Sequence, residues 1–384
     1  MINILSKNNI LSFLTFVCVF FPYVGPKMIP SDNQPFALIF AFIFLLYQVK
    51  IKISKDHYLL LIPWFIALII TVIEYENFVL GLRSFVGYTS FLVLNVFFYN
   101  HSTKYKFPEK LFKSVVIIWL LVALIQFFIN KSFLSFLVSN FRIHELRGVV
   151  SLASEPSYLG VTGCFFLIIS NQFLKSNLFT VLSILLVVLS QSGFALILMM
   201  FFLVSVLLNN IVIARLKTKL VFSALLVLMF LVVFKISNDS SFLSQRLGFV
   251  VTSLKQDPMT FIYLDASAAD RFFHVYYSFL GSLDSYLLPN GYSFWEVYAW
   301  DKFSSSEFIW ITTGRIMSTY GAMFFELGLF AIPIFIFINI QLFKTKFNCK
   351  FALILSLNFY LLFAIPIVYP LIPLILNLKN YNHD

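Results

Sequence analysis

The run from Leu178 to Ile213, LFTVLSILLVVLSQSGFALILMMFFLVSVLLNNIVI, is 36 residues long and holds no charged side chain. At 1.5 Å per residue a single helix of that length would measure about 54 Å, far more than the ~30 Å hydrocarbon core of a bilayer. The run is therefore two helices, and the break falls at Ser190-Gln191-Ser192-Gly193, which has turn composition. Two apolar helices joined by a short turn describe a membrane hairpin.

The rest of the chain agrees. Hydrophobic residues make up 60% and charged residues 11% of 384, and the mean hydropathy is +0.91. A soluble domain carries roughly 25% charged residues, so the composition reads as an all-α polytopic membrane protein and one integral membrane domain, residues 1–384. The 50 phenylalanines read as bulky lipid-facing filler. Expected spans are Asn9–Val24, Gln34–Val49, Tyr58–Ile73, Phe78–Tyr99, Leu111–Ile129, Tyr158–Leu174, Leu178–Ser190, Gly193–Ile213, Leu220–Phe234 and Tyr320–Phe343. Phe351–Leu378, with Pro366, Pro370 and Pro373, is one kinked span or two short ones, giving 11–12 transmembrane helices. The N-terminus reads as an uncleaved first span.

A formal charge of +10 could indicate nucleic acid, but the placement of the basic residues excludes it. Lysines and arginines gather in alternate short loops, among them Lys50/52/55, Lys104/106/110/113, Arg215/Lys217/Lys219 and Lys344/346/350. That pattern sets an N-terminus-inside topology by the positive-inside rule. Two long segments, 130–157 and 235–315, then face outward. The second should contain a surface helix over Ser241–Lys255 and another from Ser267-Ala-Ala-Asp270 to about Leu287, stopped by Pro289-Asn290-Gly291. Cys18, Cys164 and Cys349 form no readable disulfide framework.

Charge beside hydrocarbon marks function by default. The stretch Arg147 to Gly160, RGVVSLASEPSYLG, gathers Arg147, Glu155 and three serines just before an apolar run. Arg271, His274 and Ser278 fall on one face of the expected 267–287 helix, either as a solvated stripe or as a cationic face for phosphate. Arg83 lies six residues into its span and either snorkels, pairs with Glu74 or Glu76, or reaches a diphosphate from below. Glu155 is a candidate general base or an orienting partner of Arg147, and His274 is the alternative base. Glu326 reads as an intramembrane structural pair. Arg142, Arg246 and Arg315 are further outward cations. No metal-ligand spacing, Walker loop, GxSxG or CxxC is present, so no metal or cofactor is expected. A substrate already activated, with its energy carried on a lipid, fits these absences.

The order Arg147-Gly148…Ser154-Glu155-Pro156-Ser157…Gly160, then Leu189-Ser190-Gln191-Ser192-Gly193, then Arg271…Pro289-Asn290-Gly291-Tyr292, then Glu326-Leu327-Gly328 resembles the Wzy-type O-antigen and capsule polymerases and their relatives, the O-antigen ligases. The resemblance implies a GT-C-like, metal-independent, inverting glycosyltransferase of the bacterial inner membrane, with two large periplasmic loops. Such enzymes serve lipopolysaccharide biosynthesis by joining undecaprenyl-diphosphate-linked repeat units, and they can work with a chain-length regulator of the co-polymerase type. It further implies that Arg147 and Arg271 are the important loop arginines. Glu155 or His274 would take the proton, and Arg83, Arg142, Arg246, Arg315 and Tyr158 would contact substrate. The spacing departs from the Arg-x10-Gly of some polymerases, with 12 residues between Arg147 and Gly160 and nine between Arg271 and Gly281. A ligase shares the chemistry. A flippase or other transporter is opposed by the missing inverted repeat and the long external segment, and a structural subunit has no use for so many outward arginines.

Overall fold

The computed structural model describes residues 7–26, 28, 32–74, 77–142, 148–213, 266–304, 314–345, 347, 349–363 and 365–381. Among them the chain is helical throughout, with one isolated bridge between Val24 and Val138. The helices are α1 (Lys7–Phe20), α2 (Phe36–Leu46), α3 (Leu61–Ile73, entered through a 3₁₀ turn Lys55–Leu60), α4 (Phe78–Ser102), α5 (Glu109–Phe128), α6 (Pro156–Ile168), α7 (Asn177–Leu189) and α8 (Gly193–Ile213). They continue as α9 (Ala266–Asp284), α10 (Phe294–Ser304), α11 (Thr319–Leu327), α12 (Ile332–Phe343), α13 (Lys350–Phe363) and α14 (Leu371–Asn377).

Among the described residues four helices are long and apolar enough to cross a membrane: Lys55–Ile73, Phe78–Ser102, Glu109–Phe128 and Thr319–Phe343. Asn8–Phe20, Phe36–Leu46, Asn177–Leu189 and Lys350–Phe363 are apolar but shorter. At 11 residues α2 covers about 16 Å, roughly half the hydrocarbon core. The expected 11–12 spans thus stand as four full-length helices among the described residues, with shorter ones packed between them. The expected Leu220–Phe234 span and Ser241–Lys255 helix lie outside the described residues. α7 and α8 are separated at Ser190–Ser192, where the turn composition lies.

Phenylalanine does more than face lipid. Phe16, Phe20, Phe44, Phe97, Phe98, Phe112, Phe165 and Phe166 are fully buried, and Phe16, Phe97, Phe98 and His101 meet ring to ring within 6.1 Å. Inside a bilayer the drive to pack comes from dispersion contacts and not from water, and large flat rings supply many of them. Small residues complete the packing. A side chain at Gly160 would strike Ala195 and the Ser190 Oγ 2.7 Å away, and one at Gly163 would meet Val187 at 2.8 Å. Those two glycines let α6 lie flush on α7 and α8.

The proline-rich end is two short helices, α13 and α14, joined by a turn that reaches into the bundle. Ile367 and Val368 of that turn lie against Gly87, nine residues inside α4. Irregular backbone at that depth is tolerated where protein surrounds it or where it lines a cavity. Beyond the turn, Asn377 donates to Asn95 at 2.9 Å, and Tyr381 meets His101 at 3.0 Å.

Candidate functional site

One end of the bundle carries arginines and carboxylates, and the elements that present them are fixed by specific polar contacts. Gln126, buried near the end of α5, bonds four backbone groups of the following loop. It donates to the Phe133 and Ser151 carbonyls at 2.8 and 2.9 Å, and its oxygen accepts from the Val150 and Ser151 amides at 3.2 and 2.5 Å. Ser151 sits at φ 53° and its hydroxyl donates to Trp119 at 2.8 Å. This clamp holds the segment that runs into Ser154, Glu155 and the start of α6.

Asp32, in the α1–α2 loop, is the hub. Its carboxylate lies 3.0 Å from Arg142 and 2.8 Å from Arg315, whose guanidinium also donates to the Tyr158 hydroxyl at 2.5 Å. Arg142 reaches Glu155 at 3.6 Å, and Ser157 donates to the other Glu155 oxygen. Burial would raise the Asp32 carboxyl, but Arg315 and Arg142 outweigh it and hold the group below its ordinary 3.8. Tyr158 first, and then Asp32, hold the Arg315 proton above the usual guanidinium range against desolvation.

Beside this hub is a cavity of about 90 Å³, lined by Arg83, Tyr88, Trp295, Arg315, Glu326 and the 365–370 turn among others. It is smaller than the ~300–1,000 Å³ of small-molecule pockets, so it takes a phosphate-sized group and not a sugar chain. Arg83 donates to the Gly314 carbonyl at 3.3 Å, which fixes the loop bearing Arg315. Tyr88 donates to Glu326 at 2.7 Å. The Trp295 indole N–H is buried without an acceptor among the described residues. Two guanidinium groups and an unmet donor at one cavity form an anion-accepting arrangement.

The expected residues distribute unevenly over this site. Arg83, Arg315 and Tyr158 come together, with Arg142 and Glu155 one contact further out. Arg147 and Arg246 lie outside the described residues. Gly148, next to Arg147, packs its backbone on Ser190, while the Arg271 guanidinium lies 4.3 Å from the ring of Phe194, so both long segments between spans approach the α7–α8 turn. Arg271, His274 and Ser278 are buried, and Phe272, Tyr276 and Leu283 on the other face are exposed. The stripe is therefore not a solvated face.

Three of the expected residues are engaged away from the cavity. Glu155 is held by Arg142 and Ser157 outside the cavity. His274 accepts the Met317 amide at 2.9 Å through Nδ1. Its ring stands edge-on behind Trp295 at 5.3 Å, and no part of it lines the cavity. Glu74 does not pair with Arg83. It accepts the Tyr292 amide at 3.0 Å and the Ser293 amide at 3.2 Å, and it lies against Gly291, whose φ of 79° favours glycine.

Sequence reading missed Asp32, Tyr88 and Trp295 altogether. Asp32 gave a faint signal as a charged residue in a short outer loop. Tyr88 and Trp295 gave none, because tyrosine and tryptophan are ordinary in spans and at their ends. No family model matches the chain, and neither a curated protein nor a solved structure matches it.

Proposed function

We propose that this chain is a surface-polysaccharide polymerase that joins undecaprenyl-diphosphate-linked repeat units at the periplasmic face of a bacterial inner membrane. The observation that carries the reading is the convergence of Arg83 and Arg315 on one small cavity that also holds Glu326. A lipid diphosphate leaving group gathers negative charge as its bond to the anomeric carbon breaks, and preorganised guanidinium groups with little water stabilise it. The acceptor hydroxyl, at the sugar end of a second lipid-linked unit, attacks from the opposite side and inverts the centre. Its proton passes to a base outside the cavity mouth, while Glu326, held by Tyr88, stays on the diphosphate side. The glycan lies outside the cavity mouth, since only the charged group fits within.

In this reading Arg142 and Asp32 position Arg315, and Arg271 braces the α7–α8 turn through Phe194. The 130–157 and 235–315 segments are periplasmic, the helical frame is GT-C-like, and a chain-length regulator acts from outside the site. The resemblance of the ordered motifs and the positive-inside charge pattern support the placement.

The test is the surface glycan made by cells lacking the gene. A core bearing one repeat unit supports the polymerase. Full-length polymer stranded on the lipid carrier indicates a ligase, and units trapped on the cytoplasmic side indicate a flippase; either result overturns the proposal. With purified protein and a synthetic lipid-linked repeat unit, Arg83→Ala and Arg315→Ala should each abolish the product ladder on a gel.

A further inference from the structure

The opposite end of the bundle holds a second, larger cavity that the polymerase reading does not use. It has a volume of about 320 Å³ and is lined by Ser54, Asp56, Tyr99, Gln341, Lys344, Lys379 and Asn380. That size falls at the lower edge of ligand pockets. Three of the four full-length helices end there: Lys55–Ile73 begins beside Asp56, Phe78–Ser102 finishes just after Tyr99, and Thr319–Phe343 finishes between Gln341 and Lys344. The termini of helices long enough to cross a bilayer lie at headgroup depth.

The charges do not cancel. Asp56 is the one carboxylate in the lining, and it is taken by Lys344 at 2.5 Å and by the Gln341 amide at 2.9 Å. Lys379, half-buried, donates to the neutral Gln341 oxygen at 2.7 Å and has no carboxylate within ion-pair distance among the described residues. One ammonium is thus half withdrawn from water with only Asp56, already engaged by Lys344, as a nearby counter-charge, and an external anion would lower that cost. Below the cavity the same helices present exposed apolar side chains, Tyr58 and Ile62 on one and Ile336 and Phe343 on the other, along which acyl chains can lie.

We infer that this cavity is a binding site for the phosphate headgroup of an anionic phospholipid, seated between Lys344 and Lys379. The charge pattern of the loops assigns this end to the cytoplasmic leaflet, where anionic headgroups attract basic residues. Lys379 supplies the unpaired charge, Lys344 shares its charge between Asp56 and the phosphate, and Tyr99 and Asn380 offer neutral hydrogen bonds. The inference does not depend on the chemistry at the other end.

The experiment is native mass spectrometry of the purified full chain from mixed micelles of phosphatidylglycerol and phosphatidylcholine in equal amounts. Phosphatidylglycerol should be retained in preference, and Lys379→Gln should weaken its retention about fivefold, the effect of one basic residue at a membrane surface. Lys379→Arg should keep the preference, which separates lost charge from lost fold. Equal retention of both lipids, or no change in Lys379→Gln, overturns the site. Displacement of the lipid by millimolar inorganic phosphate, with the phosphate itself lost in Lys379→Gln, would make it a small-anion site and likewise overturn the lipid assignment.

Discussion

Asp32→Asn is the sharpest probe of how the arginine end is built. The substitution keeps the shape and one acceptor oxygen but removes the charge shared by two guanidinium groups. Removing one partner of a buried ion pair costs about 3–5 kcal/mol. Here the side chain of Asp32 is 9% exposed and that of Arg315 25%, so Arg315 recovers part of its hydration and the loss falls to about 2 kcal/mol. Arg142, with 45% of its side chain exposed, adds little because water screens it. For a chain of this size about 2 kcal/mol lowers the melting temperature by roughly 2–3 °C, readable by tryptophan fluorescence in detergent. The pH dependence gives a second reading. The folded carboxyl lies below its ordinary 3.8, so the stabilisation is complete above that pH and is lost as pH falls through the depressed value. The gap between wild type and variant should therefore be full at pH 7 and shrink as pH falls below 3.8. Equal melting at pH 7, or a gap undiminished in acid, would refute the ion-pair account.

Other perturbations follow from the same contacts. Gln126→Leu preserves volume but strands four buried backbone groups, at about 1 kcal/mol or more each, so it should destabilise by about 4 kcal/mol and open the 133–151 segment to protease. Gly160→Val forces a branched side chain into Ala195 and Ser190, where overpacking costs about 1–3 kcal/mol, and limited proteolysis should detect α6 lifting from α8. Glu326→Gln removes a negative charge from an anion-accepting cavity, so product ladders should persist at or above the wild-type yield; their loss would show that the carboxylate itself takes part in the transfer.

Much of the helical frame was legible because hydropathy is local. The break at Ser190–Ser192, the start of α9 near Ser267 and the split at the prolines all follow from residues within one turn of the boundary. α10, Phe294–Ser304, was not visible. Its apolar and polar residues, FWEVYAWDKFS, lack a clean period, and it is held by packing Trp295 and Tyr298 against Phe325. The α9 face that holds Arg271 and His274 was found by its spacing, yet spacing could not say whether it turned to water or inward. Its contacts with α8, α10 and α11, where Arg271 meets Phe194, His274 meets Trp295 and Ser278 meets Gly321, decide that.

By itself the sequence determined that the chain is a helical membrane protein, roughly where its helices start and stop, and which few charges break an apolar background. Transfer of side chains from water to hydrocarbon depends on residue type alone, so it is written residue by residue. The tertiary structure decided which charges meet. Asp32 joins Arg142 across 110 residues and Arg315 across 283, and no local pattern encodes such a pairing. It exists because low-dielectric surroundings make a lone charge expensive, and folding satisfies that constraint among whichever charged groups the packed helices bring within reach.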